Sequence, residues 1–208
     1  MKRLRVFTLL ITLLAFSACI EHEVIPPPRP VVDLECAFSA LIDGTEYTLI
    51  ENVGGLFCDP AKSKEILPLP QPSTATYYAT IRSDDLLELD FIQVKLGKLL
   101  FNAEIAIDPS LEQFTEFFMD NLEPEYERDA DGGVEIIFRD QNGGVWTSSP
   151  DGPANQFFTF VNIEQESDED GDYLKFIANF NTTLYDDIDD PTAEIEITNA
   201  VYTGYFQR

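Results

Sequence analysis

The sequence predicts a mainly β fold with one short helix; an antiparallel β-sandwich is the preferred arrangement, and a barrel-like sheet is the alternative. Three observations lead to this prediction. Apolar and polar residues alternate in many short stretches, which is the pattern of half-buried strands. Turn sequences such as Asp43-Gly44 and residues 140–144 separate these stretches. One segment, residues 110–121, has apolar residues at helical spacing instead.

The first half of the chain is expected to form hairpins. Alternating residues in the range 36–49 flank the Asp43-Gly44 turn and predict two paired strands. Three prolines in the range 62–72 indicate a loop, because proline cannot donate to a strand ladder. Further strands are predicted at residues 74–82, 87–91 and 99–107.

The second half begins with the helix. Ser110 is placed to cap it, and Leu111, Phe114 and Phe118 follow on one face, where we expect them to be core residues. After the helix, residues 134–138 and 145–148 predict a second hairpin. The last strands are expected within residues 158–160, 174–184 and 195–205.

The first 31 residues have the organisation of an exported, lipidated protein. Residues 1–18 combine a basic start with an apolar stretch too short to span a bilayer, which predicts a signal peptide. Cys19 follows small residues, so it is expected to be the lipidated first residue after cleavage. Residues 19–31 are a proline-rich tether, and residues 32–208 form one domain. The alternative is a secreted protein in which Cys19 only belongs to the signal peptide.

Charge and cysteine content bound the partners and the compartment. The chain has 38 acidic and 13 basic residues, so its field repels nucleic acid and no such partner is expected. Cys36 and Cys58 remain as a pair once Cys19 is lipidated. An even pair in an oxidising compartment predicts a disulfide.

Few residues indicate chemistry. The single histidine, His22, lies in the tether, where no scaffold can position it as a base. Paired carboxylates could hydrolyse a glycosidic bond, but no pair stands out among so many acids. We therefore assign no catalytic residue, and enzyme activity is not the favoured interpretation.

Two ligand sites are weighed instead. Asp168, Asp170 and Asp172 form an oxygen-rich turn that partly resembles an EF-hand loop and is a candidate calcium site; the alternative is a solvated turn. A flat platform for a sugar or peptide is the second hypothesis, and the alternative is that its rings are core residues. The platform residues would be Tyr77, Trp146, Tyr202 and Tyr205.

The organisation resembles that of the uncharacterised lipoproteins of Bacteroidetes-type bacteria. The resemblance rests on the Cys19 lipobox, the acidic tether, the stretch 36–44 and the closing stretch 197–206. It implies an outer-membrane lipid anchor, with the domain on the periplasmic or cell-surface side.

The expected function is a binding or structural module for a glycan, peptide or partner protein. The first alternative is a carboxylate-dependent hydrolase of glycosidase type. The second is a calcium-stabilised accessory subunit of an outer-membrane complex.

Overall fold

Ten antiparallel strands, one α-helix and one 3₁₀ turn make up the part of the chain that the computed structural model describes, residues 31–85 and 89–208. The strands are β1 (Ala37–Ile42), β2 (Thr45–Ile50), β3 (Leu56–Glu65), β4 (Ser73–Ser83), β5 (Phe91–Phe101), β6 (Val134–Arg139), β7 (Val145–Ser148), β8 (Phe157–Ser167), β9 (Asp172–Tyr185) and β10 (Glu194–Gln207). The helix α1 spans Leu111–Met119, and the 3₁₀ turn spans Arg128–Ala130.

The strands form one sheet in the order β2-β1-β10-β9-β7-β6-β5-β4-β3, with β8 paired to β9 beside β7. This sheet is strongly curled into a half-barrel. The predicted mainly β, antiparallel fold with one short helix is confirmed. Of the two predicted arrangements, the single curled sheet corresponds to the barrel-like one.

The two predicted hairpins form where the turn chemistry indicated. Asp43 and Gly44 both have positive φ, 49° and 75°, as the tight turn between β1 and β2 requires. Asp140 organises the second turn, because its carboxylate accepts backbone N–H groups from Asn142 and Gly144.

The predicted strand at residues 99–107 is wrong in its second half. Leu99 and Phe101 continue β5, which begins at Phe91, so one long strand replaces two predicted ones. Ile105 and Ile107 lie in the following loop and are exposed. Their period of two is typical of a strand, but among the described residues no strand pairs with them. Residues 86–88 lie outside the described part.

The inner face of the curled sheet holds the core, and its aromatic rings pack on one another. Phe176 stacks between Tyr202 and Phe206, with ring centroids 5.6 and 4.7 Å away. Stacked and edge-on rings of this kind stabilise a core beyond the area that they bury.

Helix α1 covers one end of this inner face. Phe114 and Phe118 are fully buried against Tyr77, as the predicted apolar stripe required. Ser110 caps the helix and shares a capping box with Gln113.

A disulfide joins Cys36, just before β1, to Cys58 in β3, with a Cα–Cα distance of 6.0 Å. It connects segments at the two opposite edges of the sheet order, β2-β1 and β3. The curled sheet is therefore held closed covalently on this side.

Within the described residues, no helix combines the length and apolarity needed to cross a membrane. The predicted signal peptide, the predicted lipidation site Cys19 and the tether up to residue 30 lie outside the described part of the chain.

Candidate functional site

The outer face of strands β3 to β6 carries an unusual arrangement of side chains. Ile81, Ile92 and Phe138 pair across β4, β5 and β6 and are buried in the core. Because side chains alternate along a strand, their sequence neighbours point to the opposite, outer face.

One row of these neighbours alternates phenylalanine with arginine. Strand register aligns Phe57, Arg82, Phe91 and Arg139 across β3, β4, β5 and β6. The Arg82 guanidinium lies over the Phe57 ring at 4.8 Å, and that of Arg139 lies over Phe91 at 4.7 Å. Stacking fixes each planar guanidinium while its N–H groups stay at the edge, available for hydrogen bonds.

The next row of the same face is polar. Asp59, Thr80 and Gln93 align across β3, β4 and β5. Gln93 donates to the Thr80 hydroxyl at 2.9 Å, and the Arg82 Nε donates to Asp59 at 2.6 Å. These bonds hold the side chains in place and leave further donor and acceptor positions on each.

Three residues of the first row (Arg82, Phe91 and Arg139) and all three of the second line a cavity of about 420 Å³. We call it the outer-face pocket, and its lining residues are Asp59, Ala61, Thr80, Arg82, Ser83, Asp84, Asp85, Leu89, Asp90, Phe91, Gln93 and Arg139. Asp84, Asp85, Leu89 and Asp90, from the described part of the connection between β4 and β5, supply one wall. The volume of the outer-face pocket lies in the range of small-molecule sites.

Asp90 anchors that wall to the core. Its carboxylate accepts a 2.7 Å hydrogen bond from the Tyr47 hydroxyl on β2. Burial, followed by this bond to a carboxylate, raises the pKa of Tyr47 well above its usual range. Tyr47 is therefore a neutral donor at all physiological pH values.

The electrostatics of the pocket are mixed. Two guanidinium groups and four carboxylates line it, so neither a simple anion nor a simple cation is favoured by charge alone. Arg82 is paired with Asp59, whereas Arg139 has no carboxylate partner among the described residues. The arrangement can bind groups that both donate and accept hydrogen bonds, above all hydroxyl groups.

The predicted aromatic platform is not formed by its four residues. Tyr77 and Tyr202 are buried in the core. Trp146 packs partly against the core and donates a hydrogen bond to Asp140. Tyr205, on β10, contacts the ring of Tyr173 on β9. The sequence pattern indicated aromatic side chains but not which strand face each would occupy.

The predicted calcium turn is organised by its own hydrogen bonds. Asp168 accepts the N–H groups of Asp170 and Gly171, and its other oxygen accepts that of Val32. Asp172 faces Arg208 at 2.5 Å instead of a shared centre. Asp168, Asp170 and Asp172 are not among the described residues whose ligand atoms lie within 4.8 Å of one another.

One cluster of ligand-type side chains does occur in the described ranges. Atoms of Cys36, Glu51 and Cys58 lie within 4.8 Å of one another. Both sulfurs are in the disulfide, so neither is a thiolate able to bind a metal. Glu51 instead accepts the backbone N–H of Cys36.

The carboxyl groups with a clear pKa shift are poor general acids. Lysine hydrogen bonds lower the pKa of Asp108, and a bond from Thr192 with backbone N–H groups lowers that of Asp186 to about 2. A general acid needs the opposite shift, which burial without partners produces.

Sequence reasoning missed the residues of the outer-face pocket. A usable signal was present, since Arg82, Phe91 and Arg139 each adjoin a residue of the buried alternating set. Arginines are also few in so acidic a chain. What the sequence lacked was the register that puts Phe57, Arg82, Phe91 and Arg139 in one row.

No family model matches this chain, and comparisons with curated proteins and with solved structures give no match either.

Proposed function

We propose that this protein is a membrane-anchored extracytoplasmic lipoprotein whose domain binds a glycan in the outer-face pocket. The observation that carries the proposal is that Arg82, Phe91 and Arg139 line this pocket, with each guanidinium stacked on a phenylalanine ring of the same row. The lipobox at Cys19 supports the anchored location, and the Cys36–Cys58 disulfide is in keeping with an oxidising compartment.

A glycan suits the pocket better than a charged ligand does. A simple anion would be repelled by Asp84 and Asp90, and a simple cation by Arg82 and Arg139. A sugar hydroxyl both donates and accepts, so it can use a carboxylate, a guanidinium edge and the Gln93 amide together. The apolar Leu89 and Phe91 provide contact area for the C–H face of a sugar ring.

The test is titration calorimetry of the purified full-length protein with defined oligosaccharides. The probes are cellohexaose, xylohexaose, maltohexaose, chitohexaose and a galacturonic acid hexamer. We expect saturable binding of at least one probe. If none binds, the glycan proposal fails.

Two arginine variants locate the binding. Arg139→Gln removes a guanidinium edge from the pocket, so the affinity for the bound probe should fall about tenfold or more. Arg128→Gln is the matched control, because Arg128 is paired with Asp189 away from the pocket. Equal affinities of the two variants would place binding elsewhere and contradict the proposal.

A further inference from the structure

The loops at one end of the sheet expose a group of large aliphatic side chains. Some of these side chains belong to the loop between β3 and β4. The others belong to the end of β5 and to the loop that follows it. Ile105 is 84% exposed and Ile107 75%. The full group, which we call the aliphatic end, is Ile66, Leu69, Leu100, Ile105 and Ile107.

Contacts made by two lysines of β3 hold these two loops side by side. Lys64 lies two residues before Ile66 in the sequence. Its ammonium group donates a 2.8 Å hydrogen bond to the backbone carbonyl of Ile107. Lys62 and Lys64 both pair with Asp108, at 2.7 and 2.9 Å. The aliphatic end is therefore a built surface in which both nearby lysines share the carboxylate of Asp108.

The chain enters the domain at this same end. The Val32 N–H donates to Asp168 in the β8–β9 turn, and Asp172 at the far side of that turn pairs with Arg208. Arg208 in turn donates to the carbonyl of Pro109, next to Asp108. These contacts run from the first described residues to the loop that carries Ile107.

We propose that the aliphatic end rests on the surface of a lipid bilayer. Only eleven residues lie between Cys19 and Val31, so a lipid anchor at Cys19 keeps this end nearest to the membrane. Moving exposed aliphatic side chains from water into the interface between headgroups and acyl chains lowers the free energy. The inference goes beyond glycan binding and rests only on the anchored location.

Charge selects the kind of lipid. The acidic turn Asp168–Asp172 lies at the same end, and the chain has a formal net charge of -25. Anionic headgroups repel such a surface, whereas zwitterionic headgroups present an ammonium group to it. The occupant is therefore a zwitterionic bilayer.

The experiment places a fluorescent reporter on the lipidated full-length protein. Ile105→Cys is labelled with a nitrobenzoxadiazole dye and reconstituted into vesicles of phosphatidylcholine and phosphatidylethanolamine. Because Ile105 is largely exposed, the substitution removes little packing. Val145→Cys is the matched control, since Val145 is an exposed apolar residue at the opposite end of β5, beside Arg139.

We expect a blue shift of the dye emission at position 105, and quenching by phosphatidylcholine spin-labelled near the headgroup. Position 145 should show neither. Equal emission at both positions in vesicles would overturn the proposal. Shielding of position 105 in Cys19→Ala protein, kept in buffer free of lipid and detergent, would also overturn it, because a second copy of the chain would then cover the surface.

Mass spectrometry of the peptide that contains Cys19 separates the two proposals. An acylated Cys19 with an unshifted dye at position 105 overturns the membrane contact and leaves the anchored location standing. A Cys19 without acyl chains removes the anchored location, and the membrane contact fails with it.

Discussion

The two faces of strands β3 to β6 use similar residues in different ways. On the inner face, aromatic rings meet other rings: Tyr77, for example, contacts Phe114 and Phe118 of the helix. On the outer face, Phe57 and Phe91 meet guanidinium groups instead. A ring among rings contributes to folding, whereas a ring below a guanidinium presents that charge to solvent in a fixed orientation.

Alternation alone therefore allows one set of strands to carry the core on one face and the outer-face pocket on the other. Consecutive residues of β5, Phe91 and Ile92, belong to the pocket and to the core respectively. Substitutions on the two faces should therefore change different measured quantities.

The largest effect is expected from the inner face. Phe176→Ala removes a ring that stacks on both Tyr202 and Phe206, so the free energy of unfolding should fall by about 3–5 kcal/mol. Urea denaturation followed by circular dichroism measures this. A loss no larger than that from an exposed substitution would show that the aromatic stack is not the core.

The disulfide is expected to rank next. Replacing Cys36 and Cys58 together by serine opens a cross-link between residues 22 positions apart. The loop-entropy account gives a destabilisation of about 3 kcal/mol, to be measured on the same urea scale. Retention of wild-type stability would mean that closure of the sheet does not depend on this bond.

On the outer face, the Arg82–Asp59 pair should contribute little to folding. Arg82 is 48% exposed and Asp59 41%, so solvent screens the pair. Asp59→Asn should therefore lower the free energy of unfolding by less than about 1 kcal/mol. Glycan affinity should fall as well, because the carboxylate orients Arg82. A large loss of stability would show that this face also supports the fold.

The smallest effect concerns a turn remote from both faces. Hydrogen bonds from Thr192 and the Ala193 N–H lower the pKa of Asp186 from 3.8 to about 2. A carboxyl group with a lowered pKa in the folded state stabilises the fold above its unfolded pKa. The advantage in melting temperature over Asp186→Asn should therefore be constant above pH 4.

Below that pH, the same advantage should shrink as the pH falls from about 3.8 towards 2 and Asp186 becomes protonated. Melting curves of both proteins at a series of pH values provide the comparison. If the melting-temperature advantage over Asp186→Asn increased as the pH fell, the lowered pKa of Asp186 would be contradicted.

The local parts of the fold could be predicted from the sequence because their causes are local. Asp43-Gly44 encodes its turn, and Ser110 encodes the helix start. Ile105 and Ile107 were assigned to a strand because alternation alone does not show whether a partner strand is present.

The outer-face pocket could not be predicted, because the contacts that form it are not local in sequence. Tyr77 was expected on a platform, but the curl of the sheet places it in the core, and helix α1 covers it there. Phe57 and Arg139 lie 82 positions apart in the sequence and share a row only through the register of four strands. No short motif encodes that register.

The most direct test of the central claim compares two neighbouring positions of β5. Phe91→Leu and Ile92→Ala are each measured for the free energy of unfolding and for affinity to the oligosaccharide that the full-length protein binds. We predict that Phe91→Leu weakens binding while changing stability little, and that Ile92→Ala costs about 2–5 kcal/mol of stability. Unchanged affinity in Phe91→Leu would contradict the assignment of the outer face to ligand binding.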